Sequence, residues 1–443
     1  MARQRTLRLA KVAPPVLLAS FYLGLILSGA VALLLPLSTR VPITIMEALF
    51  TATSAVTVTG LSLVDTGTTF TLFGQIVLLV LIQVGGVGLM TFAVLLLSSL
   101  GLSVNTPSLH VLREDLNQSS THRIMDLVGS VVRISLVVEA AGVVALAFVF
   151  VPEMGVQKGL WFAFFHAISA FNNAGFGLRP DSLSAWVDDP IVNLTIPALF
   201  LLGGLGFVVI GDIVQKRRWR LLTLHSKLML VGSAGLTIYG MSMFAILEWG
   251  NPLTLGTLDG WGAKLLASWF QSATTRTAGF NTLDLSQLHD STTLVMIGLM
   301  MVGGGSASTA GGIKVTTLMV ALLATVAFFE RRELRAFGRT IASDQVLKVM
   351  ALMTISILAM LTALFLVSIS HDGDFLDLAF EIASAFGTVG LTRGATGELD
   401  TIGRIIVMFL MFMGRVGPLT LGFLLATRRA SRVRFPTGHV YLG

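Results

Sequence analysis

A chain of 443 residues that is 54% hydrophobic and only 12% charged is not composed for water, since soluble domains carry roughly twice that charged fraction. Its net charge of +6 and pI near 10.0 would suit nucleic acid, but basic loops beside membrane helices account for both, so no nucleic-acid partner is expected. With no cysteine and seven scattered histidines, disulfides, thiolate metal sites and HExxH-type centres are excluded.

The apolar runs are far longer than the alternating segments of an outer-membrane barrel. That leaves an all-α integral membrane protein in a lipid bilayer. A spanning helix takes about 20 apolar residues. In chain order the runs that qualify cover 16–35, 72–97, 124–151, 191–210, 228–247, 294–329, 349–369 and 405–427. The first follows a basic tail (Arg3, Arg5, Arg8, Lys11). It is longer than the core of a cleavable signal and reads as a retained span. Basic connections follow: Arg113 and Arg123, then Lys216, Arg217, Arg218 and Arg220, then Arg331, Arg332, Arg335 and Arg339, and last Arg428, Arg429, Arg432 and Arg434. The Lys/Arg bias places these and both termini in the cytoplasm, in a multi-pass cytoplasmic (inner) membrane protein. Asp181, Asp188, Asp189, Asp284 and Asp290 fall on the outer side and read as a solvated face.

Between paired spans lies a semi-apolar stretch too short to cross a bilayer, as expected of a re-entrant half-helix. Each ends in the same mark: SAVTVTGL (54–61), SAFNNAGF (169–176), ATTRTAGF (273–280) and SAFGTVGL (384–391). The marked glycines, Gly60, Gly175, Gly279 and Gly390, stand 115, 104 and 111 residues apart. An aromatic precedes each by ten residues: Phe50, Phe165, Trp269 and Phe380. Four such marks are a four-fold internal repeat, each unit reading span, half-helix, glycine turn, span. The expected units are 1–100, 101–215, 216–335 and 336–427, with a cytoplasmic tail at 428–443.

The second spans repeat as well, through QVGGVGLM, LLGGLGFV, MVGGGSAS and FMGRVGPL. Their first glycines follow the marked glycines by 25, 28, 24 and 24 residues. In the first two copies, close helix packing is one sufficient reading of the glycines. The third copy is different. Gly303, Gly304, Gly305, Ser306, Ala307, Ser308, Thr309, Ala310, Gly311 and Gly312, followed by Lys314, cannot stay a regular helix. Non-helical backbone at this depth must be buried in protein or face a watery cavity.

Four half-helices whose turns converge would bring together main-chain carbonyls able to replace a cation's water shell. The helix C-termini would add negative potential there, and glycine would permit the dihedrals required. The candidate filter residues are Thr57, Val58, Thr59 and Gly60; Asn172, Asn173, Ala174 and Gly175; Arg276, Thr277, Ala278 and Gly279; and Gly387, Thr388, Val389 and Gly390. Their side chains differ too much for side-chain coordination, so the ligands are expected to be backbone oxygens. Arg276 reads as a brace for its turn, since a fixed cation repels a permeant one. Arg415, inside an apolar span, is a functional candidate because intramembrane charge is costly; satisfaction by loop carbonyls for structure alone is its alternative. Lys314 is open between a pore role and snorkelling. Glu139, Arg133 and Asp126 read as interfacial or contact-forming rather than a proton relay, and Asp212 as a cap or surface charge.

Together, the four turns, the GGGSASTAGGIK loop and the MGRVGPLT stretch resemble the Trk/Ktr/HKT superfamily of potassium transporters, most closely its KtrB-type membrane subunits. The resemblance covers nearly the whole chain. It implies four M1–P–M2 units around one pore, as in a potassium channel made from one chain. It also implies potassium as the transported ion, bound at the filter, since Gly60 stands where sodium-preferring plant relatives carry serine. The loop at 303–314 and Arg415 would form a gate. A homodimer is implied, seated on a cytosolic KtrA-type ring that binds ATP or ADP, with sodium stimulation. No nucleotide site is seen in this chain. A departure from ordinary potassium channels is the single glycine per turn.

Three rivals are weaker. A secondary transporter using the broken third-repeat helix as its binding site would show a two-fold repeat. An enzyme would need clustered acid, base or nucleophile, and none is seen. A phosphate-binding loop would need G-x-x-x-x-G-K-[ST] after a strand.

Overall fold

The computed structural model describes residues 14–88 and 121–417. Its main helices are α1 (Pro14–Leu34), α2 (Ile45–Val56), α3 (Leu72–Val87), α4 (Thr121–Met154), α5 (Val156–Phe171), α6 (Pro190–Leu205), α7 (Phe207–Lys216), α8 (Leu224–Glu248), α9 (Gly260–Thr274), α10 (Asp290–Met300), α11 (Val315–Phe329), α12 (Ser343–Ser370), α13 (Phe375–Gly387) and α14 (Thr401–Val416). Among the described residues, three stretches are long and apolar enough to cross a membrane: Val131–Met154, Leu224–Glu248 and Ser343–Ser370. They leave large apolar side chains such as Phe148, Ile246 and Phe365 exposed, as lipid-facing helices do.

Local chemistry sets the helix starts. Thr44 and Glu47 close a capping box on α2, with Thr44 N donating to Glu47 Oε2 at 2.7 Å. Asp189 caps α6 through Val192 N at 2.9 Å, with Pro190 in the first turn. Asp400 caps α14 through Gly403 N at 2.7 Å.

The helix ends depart from expectation. The second span of the second unit, read as one run over 191–210, is broken at Gly206, where α6 and α7 meet at 94°. Helices α3 and α14 likewise stop at Gly88 and Gly417; the remainder of the expected runs 72–97 and 405–427 lies outside the described residues, as do 101–120 and 418–443. Gly88, Gly206 and Gly417 have φ of +89°, +95° and +93°, a backbone that side-chain-bearing residues resist, so the helix cannot run through. The break expected in the third unit is present: α10 ends at Met300 and α11 begins at Val315.

One small sheet departs from the all-α expectation. Strands β1 (Arg335–Ala336) and β2 (Arg339–Thr340) pair antiparallel. The two residues between them, Phe337 and Gly338, both have positive φ, as a type I′ hairpin requires. The expected boundary at 335/336 runs through β1.

The core consists of interlocked clusters. Phe165 of α5 packs in the cluster built on α1, α2 and α3. Phe270 of α9 packs with α4, α5 and α6. Phe380 of α13 packs with α8 and α10. Phe50 of α2 packs with α12, α13 and α14. Each short helix thus lends an aromatic to the core of the preceding unit, and the last interlock returns to the first.

Candidate ion-coordination site

The C-termini of α2, α5, α9 and α13 lead directly into the four marked turns. All four glycines have positive φ: +99° at Gly60, +67° at Gly175, +77° at Gly279 and +91° at Gly390. Two residues before each, Val58, Asn173, Thr277 and Thr388 are also left-handed, with φ between +51° and +69°. That backbone is unfavourable for β-branched residues, three of which hold it here. The strain is fixed by hydrogen bonds. Thr59 N, Ala174 N and Val389 N donate at 2.8 Å to Ser54, Ser169 and Ser384 carbonyls. Ser54 Oγ accepts from Gly60 N at 3.0 Å, and Ser384 Oγ from Gly390 N at 3.1 Å. The third turn is wound one residue tighter, with Ala278 N donating to Thr274 O at 2.9 Å.

The four turns close into a ring in chain order. A methyl placed on Gly60 would come within 3.0 Å of Ala174 O; on Gly175, of Ala278 O; on Gly279, of Val389 O; and on Gly390, of Thr59 O. The carbonyls preceding each glycine therefore stand against the neighbouring glycine, and only glycine leaves them room. Four main-chain oxygens around four helix C-termini form a site of negative potential with no acidic side chain in it. No metal-type cluster of His, Asp or Glu occurs among the described residues.

A second level adjoins this ring. A methyl on Gly85, Gly203 or Gly414 would strike the carbonyl of Val56, Phe171 or Phe386 respectively. In the first, second and fourth units the first glycine of the second-span motif is thus a close-approach point against a short helix, as the packing reading expects of the first two. In the third unit Gly303 instead faces Gly311 O and the Thr277 methyl of its own unit. Residues 301–314 form a looped insertion fastened largely to the second unit. Gly305 N donates to Gly204 O at 2.7 Å, Thr309 N to Gly203 O at 3.2 Å, and Phe207 N to Ala307 O at 3.0 Å. Gly303 N to Ile313 O, at 2.8 Å, ties its two ends. These bonds satisfy backbone groups that would be costly to bury unpaired.

Arg415 occupies the motif position held by Gly86, Gly204 and Gly304 in the other copies. Its guanidinium donates to Thr309 O and Gly85 O, to Gly86 O at 2.9 Å, and to Tyr22 Oη at 3.3 Å. It joins the first, third and fourth units. Lys314 folds back, with Nζ donating to Ala310 O at 2.8 Å. Thr309 Oγ1 donates to Asn173 Oδ1 at 2.7 Å, and Asn173 Nδ2 donates to Arg276 O at 3.2 Å. The loop is therefore hydrogen-bonded to the ring itself.

Other sequence candidates also find places. Glu139 Oε1 accepts from Gln83 Nε2 at 3.0 Å and from Asn172 Nδ2 at 3.4 Å, a contact behind the second turn. Arg133 is exposed; the Asp126 side chain lies outside the described set. Asp212 is neither a cap nor a surface charge: it is buried within α7 and braces Thr223, the residue that caps α8, accepting from Thr223 N at 2.8 Å and Ser226 Oγ at 2.7 Å and pairing with Lys216 at 2.6 Å. Tyr22 and Gln83 were not singled out by the sequence. The serines at 54, 169 and 384 stood at the head of three quoted stretches, and their shared register was the available signal.

This combination, interlocked apolar helices presenting a ring of backbone oxygens, defines a polytopic membrane protein of the cation-transporter class. The chain belongs to the TrkH family of cation transport proteins, whose model matches residues 15–431; the family is one of transporters, not enzymes. It is 44% identical over 444 residues to the Ktr system potassium uptake protein B of Bacillus subtilis, covering 100% of each chain. It is 38% identical to the potassium/sodium uptake protein NtpJ of Enterococcus hirae, covering 98% of each. The fold resembles the potassium transporter TrkH from Vibrio parahaemolyticus with a TM-score of 0.73, 18% identity and coverage of 93% of this chain and 84% of that one.

Proposed function

We propose that this chain is the pore-forming membrane subunit of a Ktr-type potassium uptake system. The observation carrying the reading is the ring that closes from Gly60 through Gly175 and Gly279 to Gly390 and back, with a neighbour's carbonyl against every glycine. Potassium sheds its water to these and adjoining main-chain oxygens in a filter of four M1–P–M2 units. The loop at 303–314 obstructs the path, and Arg415 holds it shut by donating to Thr309 O. The relatives named as protein B of a Ktr system support a partner regulatory subunit; on the resemblance, that partner is a cytosolic KtrA-type ring carrying ATP or ADP and the membrane part is a homodimer. Both termini face the cytoplasm of the cell membrane, and sodium stimulates transport.

The test is rubidium or potassium flux into liposomes holding the purified protein, with sodium and lithium as competitors. Saturable flux with potassium preferred is expected; flux indifferent to potassium and sodium, and unaltered by substitution at any of the four glycines, overturns the filter assignment. A second reading, potassium and sodium both as cargo, is favoured by the relative named a potassium/sodium uptake protein. The same competition separates the two.

A further inference from the structure

A second circle of contacts stands beside the ring. It is made by the segments that run from each marked glycine to the second span of its unit. Asn281, two residues after Gly279, ties the third unit to the second: its carbonyl accepts from Leu183 N at 3.0 Å, and its N donates to Ser182 Oγ at 3.2 Å. A methyl on Gly67 would strike Leu178 O, so the second unit lies on the first. Leu61 packs with Ala395 and Leu399, so the first lies on the fourth. Arg393, three residues after Gly390, closes the circle from the fourth unit onto the third. The direction is that of the ring, where Val389 O stands against Gly279, Ala278 O against Gly175, Ala174 O against Gly60 and Thr59 O against Gly390. Each unit leans on the same neighbour at both levels.

Three of these contacts use backbone, a hydroxyl or apolar side chains; the fourth is charged. The Arg393 side chain is 9% exposed, and its Nε pairs with Asp377 of α13. Its Nη1 donates to Leu285 O at 2.9 Å, Leu288 O at 3.4 Å and Thr293 Oγ1 at 2.7 Å, all in the third unit. Glu381, buried behind the same segment, accepts from Arg393 N at 3.2 Å and from the Thr392 and Thr396 hydroxyls. One guanidinium thus joins the short helix of its own unit to the neighbour, which its planar fork allows and a lysine ammonium does not. Thr388, two residues before Gly390, holds a left-handed φ of +52°. Such backbone persists only where its surroundings over-determine it, and the fastened segment beyond Gly390 supplies part of that constraint.

We propose that Arg393 is a positioning residue for ion selection: by pinning the segment after Gly390 to the third unit, it holds the Val389 carbonyl against Gly279 and sets the width of the ring on that side. The effect on selection rests on the function proposed above; the pinning does not.

The experiment uses the full chain, in lipid nanodiscs for amide hydrogen exchange and Tm and in liposomes for competitive rubidium flux. In Arg393→Gln, exchange in peptides covering 388–394 is expected to quicken while that in peptides covering 172–176 stays as it was. Potassium over sodium preference is expected to fall severalfold, less than in Gly390→Ser. Arg393→Lys keeps the pair with Asp377 but not the forked donation, and should restore part of the preference. Should Arg393→Gln not fold, Thr293→Val, which removes one acceptor and keeps the arginine, should give the same two changes in smaller degree. Unchanged exchange at 388–394 overturns the proposal. So does a lowered Tm with preference intact where Gly390→Ser does lower it, the mark of a merely structural tie. If Gly390→Ser also leaves preference intact, the filter reading fails, and exchange alone decides the pinning.

Discussion

The ring and the level next to it are built from the same four repeated motifs and obey different rules. At the ring every unit contributes the same thing, a glycine and the carbonyl before it, set against the next unit. One level away the equivalence is lost. Three units place a glycine against a short-helix carbonyl, the third turns back on itself through 301–314, and the fourth replaces its second glycine with Arg415. A site that replaces a hydration shell needs oxygens from all sides. An obstruction needs only one element that can be moved. On the function proposed above, the sequence keeps four copies alike where ions are coordinated and lets two diverge, the third and the fourth, where passage is controlled.

The comparison breaks most readily at the ring. Gly390→Ser sets a side chain against Thr59 O and is expected to lower potassium over sodium preference by roughly tenfold or more, a change of about 1.4 kcal/mol, read by competitive rubidium flux. Unchanged preference there and in Gly60→Ser and Gly279→Ser ends the case for equal carbonyls. Deleting 304–311 should raise flux severalfold while leaving preference intact; reduced flux in well-folded protein would remove the loop from any gating role. Arg415→Gln should raise flux less, because it removes charge-assisted bonds worth about 1.5–3 kcal/mol each but leaves the loop's ties to the second unit. Combined with the deletion it should add little, and an additive double variant would separate arginine from loop. Gly414→Ala, which drives a methyl into Phe386 O, should cost about 1–3 kcal/mol, seen as a lowered Tm without altered preference. The smallest effect is expected from Glu139→Gln. Its amide oxygen can still accept from Gln83, so flux should change by about twofold or less.

Much of this was legible in the residues. The marked glycines, the spacing of the aromatics and the unhelical run after Met301 carry their own physics, and the contact reading of Glu139 holds. The bend at Gly206 was not legible from its own sequence, because GGLG in an apolar run serves close packing as well as breakage. Only alignment with Gly88 and Gly417, at the same place in their motifs, separates the two. The partners of Arg415 were half visible. A loop carbonyl was anticipated, but Gly85, Gly86 and Tyr22 lie hundreds of residues away, and no local pattern reports them. The brace of Arg276 could be expected but its partner could not be named, since Val302 O lies 26 residues along the chain and no local pattern reports it.

The closing contact of the ring, from Gly390 back to Thr59, bears on how the protein is made. Synthesis delivers the turns one at a time, and the circle stays open until the fourth has emerged and found the first. A partly translated chain already in the bilayer holds an arc of oxygens rather than an enclosure. On the function proposed above, selective passage therefore has to wait for the fourth unit.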